Sequence, residues 1–225
     1  MVAVAELTFE RIVDLSYTVD ENAPREMPIG PAKLYHTATM ERDGYFESRI
    51  DLSGHCSTHM DTPSLMYKDG DTIERVELWR LTGHATQIDL THLEPGDVIT
   101  SAVLQAWEDN GGSFPRESIV FLRTGMEALV DEPIFNRNWI GLDGSGARWL
   151  VERGIKLVGT DACAIESIHG PRDDFPAHHT FLENGIPIVE NLRNLGELPE
   201  TFLVVVAPMK LTNSSGAPTR VFAFL

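Results

Sequence analysis

The chain predicts a mixed α/β fold. Short apolar, β-branched runs such as Ile119-Val120-Phe121-Leu122 and Leu203-Val204-Val205-Val206-Ala207 read as buried strands. Segments with an apolar period near 3.6, closed by glycines, fall between some of these runs. The strands outnumber the helices and do not alternate strictly with them. That pattern favours a mixed sheet with flanking helices over a doubly wound sheet.

Taken in order, Phe46-Glu47-Ser48-Arg49-Ile50-Asp51-Leu52 alternates apolar and polar residues, as a half-buried strand does. Ser101 to Asn110 carries Val103, Leu104, Ala106 and Trp107 on one helical face and stops at Gly111-Gly112. Ile119 to Leu122 is the next strand. Ser145 to Arg153 is a second helix with a capping-type start and Gly154 at its end. Ile155-Lys156-Leu157-Val158-Gly159 returns to strand. His178 to Asn184 is a short helix ended by Gly185, and Ile186-Pro187-Ile188-Val189 is the strand after it. Leu203 to Ala207 is ended by Pro208. No repeat, low-complexity tract or linker interrupts the chain, so residues 1–225 read as one domain.

Composition narrows the function classes. With 225 residues the chain can bury a substantial core. Its 18 Lys and Arg against 34 Asp and Glu leave a net charge of −16, which argues against nucleic-acid or anionic-membrane partners. The two cysteines, Cys56 and Cys163, fit a reduced cytoplasmic protein better than a disulfide scaffold. The first residues lack a basic stretch followed by a long apolar run, so neither a signal peptide nor a membrane span is expected.

The chemistry concentrates in His55-Cys56-Ser57-Thr58-His59-Met60-Asp61-Thr62-Pro63. In an extended segment, positions 55, 59 and 61 share one side. Two imidazoles and a carboxylate on one side suit Zn or Mn. Further along, His178-His179 and Glu190 form a second His/Glu pair. Glu190 closes an apolar run, and a buried carboxylate without a cation would be costly.

These segments resemble the metal-dependent cyclase family that contains bacterial kynurenine formamidase and isatin hydrolase. The family signature runs His-x-Gly-Thr-His-x-Asp-x-Pro-x-His. Asp14-Leu15-Ser16, Gly159-Thr160-Asp161, His178 through Leu192, Pro208 to Leu211 and Gly216 to Arg220 are similar to its further motifs, in the family order. The resemblance implies a swivelling β/β/α-type domain and a divalent metal, Zn or Mn, as one or two ions. It implies His55, His59, Asp61, His178 and Glu190 as metal ligands. It also implies hydrolysis of a C–N amide bond in a small aromatic or cyclic substrate by metal-activated water, with N-formylkynurenine or an isatin-type amide as the reference. Homo-oligomers, dimers or tetramers, are the family habit. Tyr45 and Phe46 are implied as substrate-binding aromatics.

The chain departs from the signature twice. Ser57 stands at its glycine, which matters only where that position needs a positive φ. Leu65 stands at its last histidine, the proposed acid/base residue, and leucine moves no proton. His179 is the first substitute, with His84 and His169 behind it; otherwise a metal-bound hydroxide would attack unaided, with Glu190 or Asp61 managing the proton. Alternatively, the chain is a metal-dependent lyase or cyclase, or a member with lost or altered activity. Cys56 and Cys163 read as packed residues. Asp161 reads as a turn residue or an acceptor behind the site. The four tryptophans read as core or interface residues, and Arg172, Asp173 and Asp174 as a charged cluster in the loop from Pro171 to Pro176.

Overall fold

The computed structural model describes residues 8–25, 29–169 and 174–225. In chain order the strands are β1 (Ile12–Asp14), β2 (Lys33–Ala38), β3 (Glu47–Asp51), β4 (His59–Asp61), β5 (Thr82–Asp89), β6 (Val98–Ile99), β7 (Ile119–Arg123), β8 (Gly141–Leu142), β9 (Leu157–Thr160), β10 (Ile188–Glu190), β11 (Thr201–Pro208) and β12 (Gly216–Phe224). The helices are α1 (Met40–Asp43), α2 (Ser101–Asp109), α3 (Gly144–Glu152) and α4 (Pro176–Glu183). Among the described residues, no helix is long and apolar enough to cross a membrane.

The apolar run at β7 lies in the middle of the main sheet because both of its faces are covered. Ile119 and Phe121 point to one apolar cluster, Val120 and Leu122 to the other. β5, β7, β9 and β10 pair in parallel, in that order. Consecutive members are joined through α2, α3 and α4, as parallel neighbours require. β11 and β12 continue antiparallel from the β5 edge, and β1 lies on β12. This is the expected mixed sheet with flanking helices.

The sheet also closes. β4 pairs antiparallel with β10 through His59 to Asp61, and with β12 through Gly216 to Pro218. The ladder therefore runs β12-β11-β5-β7-β9-β10-β4 and returns to β12. Inside the ring sits one cluster, with Met60, Phe121, Leu157, Val189, Val204 and Ala217 from different strands. Outside it, α2, α3 and α4 cover the second cluster, which includes Trp139 and Trp149. Trp107 packs at its margin, whereas Trp79 is largely exposed.

Two expectations are corrected. The strand around Phe46 to Leu52 is not half-buried: every residue of β3 is exposed. Among the described residues it pairs only with β2, in a hairpin that stands apart from the main sheet, so its alternation has no core to face. Second, the segment 55–61 is extended only from His59. His55 lies in a turn, and Ser57 adopts φ of 62°. Pro171, Arg172 and Asp173 of the charged loop lie outside the described residues.

Candidate metal centre

β4 alternates in the usual way. Met60 points into the ring, so His59 and Asp61 share the outer face. The register sets Glu190 of β10 directly opposite His59. Side chains opposed on one face of an antiparallel pair meet. On the other flank Gly216 stands opposite Asp61. The missing side chain there matters: a Cβ on Gly216 would lie 2.7 Å from His55 Cε1 and 2.9 Å from the Met60 carbonyl oxygen. The gap admits the His55 ring.

His55 reaches that gap because the chain doubles back at Ser57. The left-handed φ of this serine is the conformation a glycine adopts without cost, and it strains an L-residue by about 1–2 kcal/mol. The Ser57 N–H donates to Pro24 O, which helps hold the turn. Cys56 is carried to the other side and packs with Ala23 and Ala32. Burial pushes its thiol up.

His178 arrives on the first turn of α4. Its N-cap residue, Phe175, makes no side-chain capping bond. Glu166 caps the helix from a distance: its carboxylate accepts from the backbone N–H of Ala177 and His178 and lies 3.1 Å from His178 Nδ1. A carboxylate is favourable at a helix start. Here it also sets the imidazole, because a proton held on Nδ1 leaves Nε2 free.

All three imidazoles share this arrangement, with one nitrogen committed behind the ring. His55 Nε2 is 3.0 Å from Ser215 Oγ, and His59 Nδ1 donates to the Ser57 carbonyl at 3.0 Å. His178 Nδ1 faces Glu166. The opposite nitrogens converge on two carboxylates. His55 Nδ1 lies 2.7 Å and His59 Nε2 3.4 Å from Asp61 Oδ1. His178 Nε2 lies 3.8 Å from Asp61 Oδ2. Glu190 is 3.4 Å from His59 Nε2 and 3.5 Å from His178 Nε2, and its Oε1 accepts from Ile165 N–H at 2.7 Å.

The donor atoms fall into two groups that share Asp61. One is His55, His59 and Asp61; the other is Asp61, His178 and Glu190; within each, the atoms lie within 4.8 Å of one another. Either group could hold a metal ion. Asp61 and Glu190 are only 1% and 4% exposed. Burial alone would raise their pKa values, but the facing imidazoles hold both below the usual range. In turn, burial alone would lower the histidines. The carboxylates override it, pushing His59 up to about 9 and His178 well above its usual value. Two buried carboxylates thus call for balancing positive charge. A divalent cation answers the same charge with the donor types Zn or Mn accepts.

Ile29, Leu65, Met66 and Phe175 complete the wall of a pocket of about 280 Å³ above this cluster. Leu65, the signature departure, therefore faces the pocket. The substitute histidine does not. His179 is the next residue on α4, and its Nδ1 lies 3.0 Å from Tyr67 Oη, away from the pocket lining. His84 and His169 are exposed and do not line the pocket either. Tyr45 and Phe46 are 56% and 59% exposed, carried off by the β2–β3 hairpin rather than lining this pocket.

Asp161 neither turns on its own backbone nor backs the cluster. It accepts from Thr124 N–H, Thr124 Oγ1–H and Gly125 N–H, bracing the loop after β7. The sequence reading missed Glu166 and Ser215. Glu166 had a signal, a lone acid after the small apolar run Ala162 to Ile165. Ser215 had none beyond its place beside Gly216.

Similarity to known proteins follows the same outline. The Cyclase family model, described as putative cyclase, matches residues 13–167. The chain is 28% identical over 176 residues to a kynurenine formamidase of Bacillus cereus, covering 76% of this chain and 77% of that protein. Among solved structures, isatin hydrolase A from Labrenzia aggregata bound to benzyl benzoate aligns with a TM-score of 0.86 at 26% identity, covering 96% of this chain and 93% of that one. A potential metal-dependent hydrolase with cyclase activity aligns with a TM-score of 0.78 at 30% identity, covering 95% and 97%. With the family model matched over most of the chain, this protein belongs to the cyclase family.

Proposed function

We propose that the chain is a metal-dependent hydrolase that adds water to the carbonyl carbon of a small, largely apolar acyl compound. The carrying observation is the convergence of His55, His59, Asp61, His178 and Glu190 beneath an apolar-walled pocket. Relatives that act as formamidase and isatin hydrolase support the reaction class. An aryl formamide such as N-formylkynurenine, or a cyclic amide of the isatin type, is the reference substrate.

His55, His59 and Asp61 would hold one ion, and Asp61, His178 and Glu190 a second. A bound divalent ion would polarise the substrate carbonyl and make water nucleophilic near neutral pH. The protein's own part is positional. Ser215, the Ser57 carbonyl and Glu166 keep the free nitrogens aimed inward. Ile29, Leu65, Met66 and Phe175 hold the organic part of the substrate and exclude water.

A second reading follows from Leu65. With leucine facing the pocket, the site lacks a proton donor there, which supports altered acyl chemistry. Elemental analysis of purified protein, beside His59→Ala, tests the central claim. The parent carries a divalent ion and the variant loses it. A parent without metal, unaffected in melting temperature by added Zn²⁺ or Mn²⁺, would refute the reading.

A further inference from the structure

We infer that this site favours carboxylic esters and lactones whose leaving oxygen departs as a stabilised anion, such as the phenolate of an aryl ester, over amides. The inference deepens the hydrolase reading and rests on it.

Among the described residues of the site, no group is free to give a proton to a departing atom. Beyond the five-residue cluster, the described pocket lining is Ile29, Leu65, Met66 and Phe175, none of which carries an acidic proton. Within the cluster every imidazole has its rear nitrogen engaged, by Ser215, Ser57 or Glu166. The inward nitrogens face Asp61 and Glu190. The carboxylates are equally committed. Both oxygens of Asp61 meet imidazoles, and Glu190 also accepts from Ile165 N–H. Glu166 is turned to the helix start. Tyr67 and His179 are paired with each other away from the pocket.

The two substrate classes differ in their need for such a donor. In either, a water oxygen bonds to the acyl carbon and the bond to the leaving atom breaks, with its electron pair going to that atom. An ester releases phenolate directly. Ester and water give carboxylate, phenolate and two protons, which pass to solvent. An amide nitrogen is too basic to leave as an anion, so a proton must reach it as the C–N bond breaks. That transfer needs a donor within about 2.6–3.2 Å of the nitrogen, and such a group contributes about 10²–10⁴-fold. Leu65 occupies the pocket wall without one.

The test uses the protein loaded with Zn²⁺ and, in parallel, with Mn²⁺. It is assayed on phenyl acetate, acetanilide and phenyl esters with increasingly acidic phenols. In the parent, kcat/KM rises steeply with phenol acidity. Leu65→His, with unchanged metal content by elemental analysis, raises the ratio of acetanilide to phenyl acetate cleavage by about 10²–10⁴-fold and flattens the leaving-group series. A parent whose kcat/KM is indifferent to phenol acidity overturns the inference, and that measurement needs no variant. So does a parent that cleaves acetanilide within tenfold of phenyl acetate. A metal-loaded parent that turns over none of these compounds, nor the amide references, overturns the hydrolase reading itself.

Discussion

Replacing Glu166 by glutamine tests how the chain sets its inner imidazole. The buried Glu166 carboxylate accepts from two backbone N–H groups of α4 and faces His178 Nδ1. In Glu166→Gln a single oxygen remains. At the Oε2 position it keeps the His178 N–H and Nδ1, held more weakly by a neutral acceptor, and turns the NH₂ on the Ala177 N–H; at Oε1 it keeps only the Ala177 N–H, and the NH₂ meets His178 Nδ1 and requires that nitrogen to accept. In the second arrangement the ring proton moves to Nε2, the nitrogen aimed at Asp61 and Glu190, and its lone pair is lost to a metal; in the first, the ring is held less firmly for one. Partners behind metal-binding histidines typically carry 10–100-fold in affinity, or about 1.4–2.7 kcal/mol. Exchanging a charged acceptor for a neutral one should cost the metal-free fold about 1–2 kcal/mol. Competition with a chromogenic chelator reads the first quantity, and urea denaturation in excess chelator the second. A folded Glu166→Gln protein that holds Zn²⁺ as tightly, and at the same stoichiometry, as its parent would refute the reasoning.

Other outcomes follow from single residues. Ser57→Gly relieves a left-handed serine worth about 1–2 kcal/mol, offset by roughly 0.5–1 kcal/mol of glycine entropy; denaturation should show a small gain, and Ser57→Val a loss above about 1 kcal/mol. Gly216→Ala puts a methyl against the His55 ring and the Met60 carbonyl; chelator competition should read at least tenfold weaker metal binding, with about 1–3 kcal/mol of strain in the fold. His179→Phe should leave metal content intact, since His179 faces Tyr67. Burial holds Asp161 up to about 6 against 3.8 for the ordinary group, despite its three donors. Its contribution is therefore whole below about pH 3.8 and lost as pH rises through about 6. Between pH 3.5 and 7 the parent should lose about 3 kcal/mol relative to Asp161→Asn; parallel stability curves for the two would contradict this.

The elements visible in the sequence are those whose own side chains face a core. The apolar runs of β7, β9, β10 and β11 and the 3.6-residue periods of α2 and α3 announce their burial. β5 was hidden because Thr-Gly-His-Ala-Thr-Gln-Ile-Asp mixes polar residues along its length, and β12 because it contains Gly216 and Pro218. Closure of the ring depends on β4 meeting two partners far away in the chain, which no local pattern encodes. The candidate donors were legible as residue types and order. The path of His55 was not: it depends on Ser57 accepting a φ that its side chain disfavours. Tyr45 and Phe46 are implied as pocket aromatics by the family resemblance alone, with no pattern of their own to support it. The hairpin then carries them outward.

The three-residue strand β4 has a consequence for the lifetime of the fold. With β10 it is one of the two shortest strands of the ring, yet it joins two ladder edges whose sequences are made much later in the chain than its own. Bringing such distant segments together carries a large chain-closure entropy, so this seam belongs to the slow, non-local part of assembly. Its detachment is correspondingly a natural first step of opening. The donor cluster spans the same seam, with His59 and Asp61 on one edge and Glu190 on the other. Metal held across it would act as a rivet, lowering the unfolding rate more than it raises the folding rate if the seam forms after the transition state. Loss of the ion would then shorten the protein's persistence as well as silence its site.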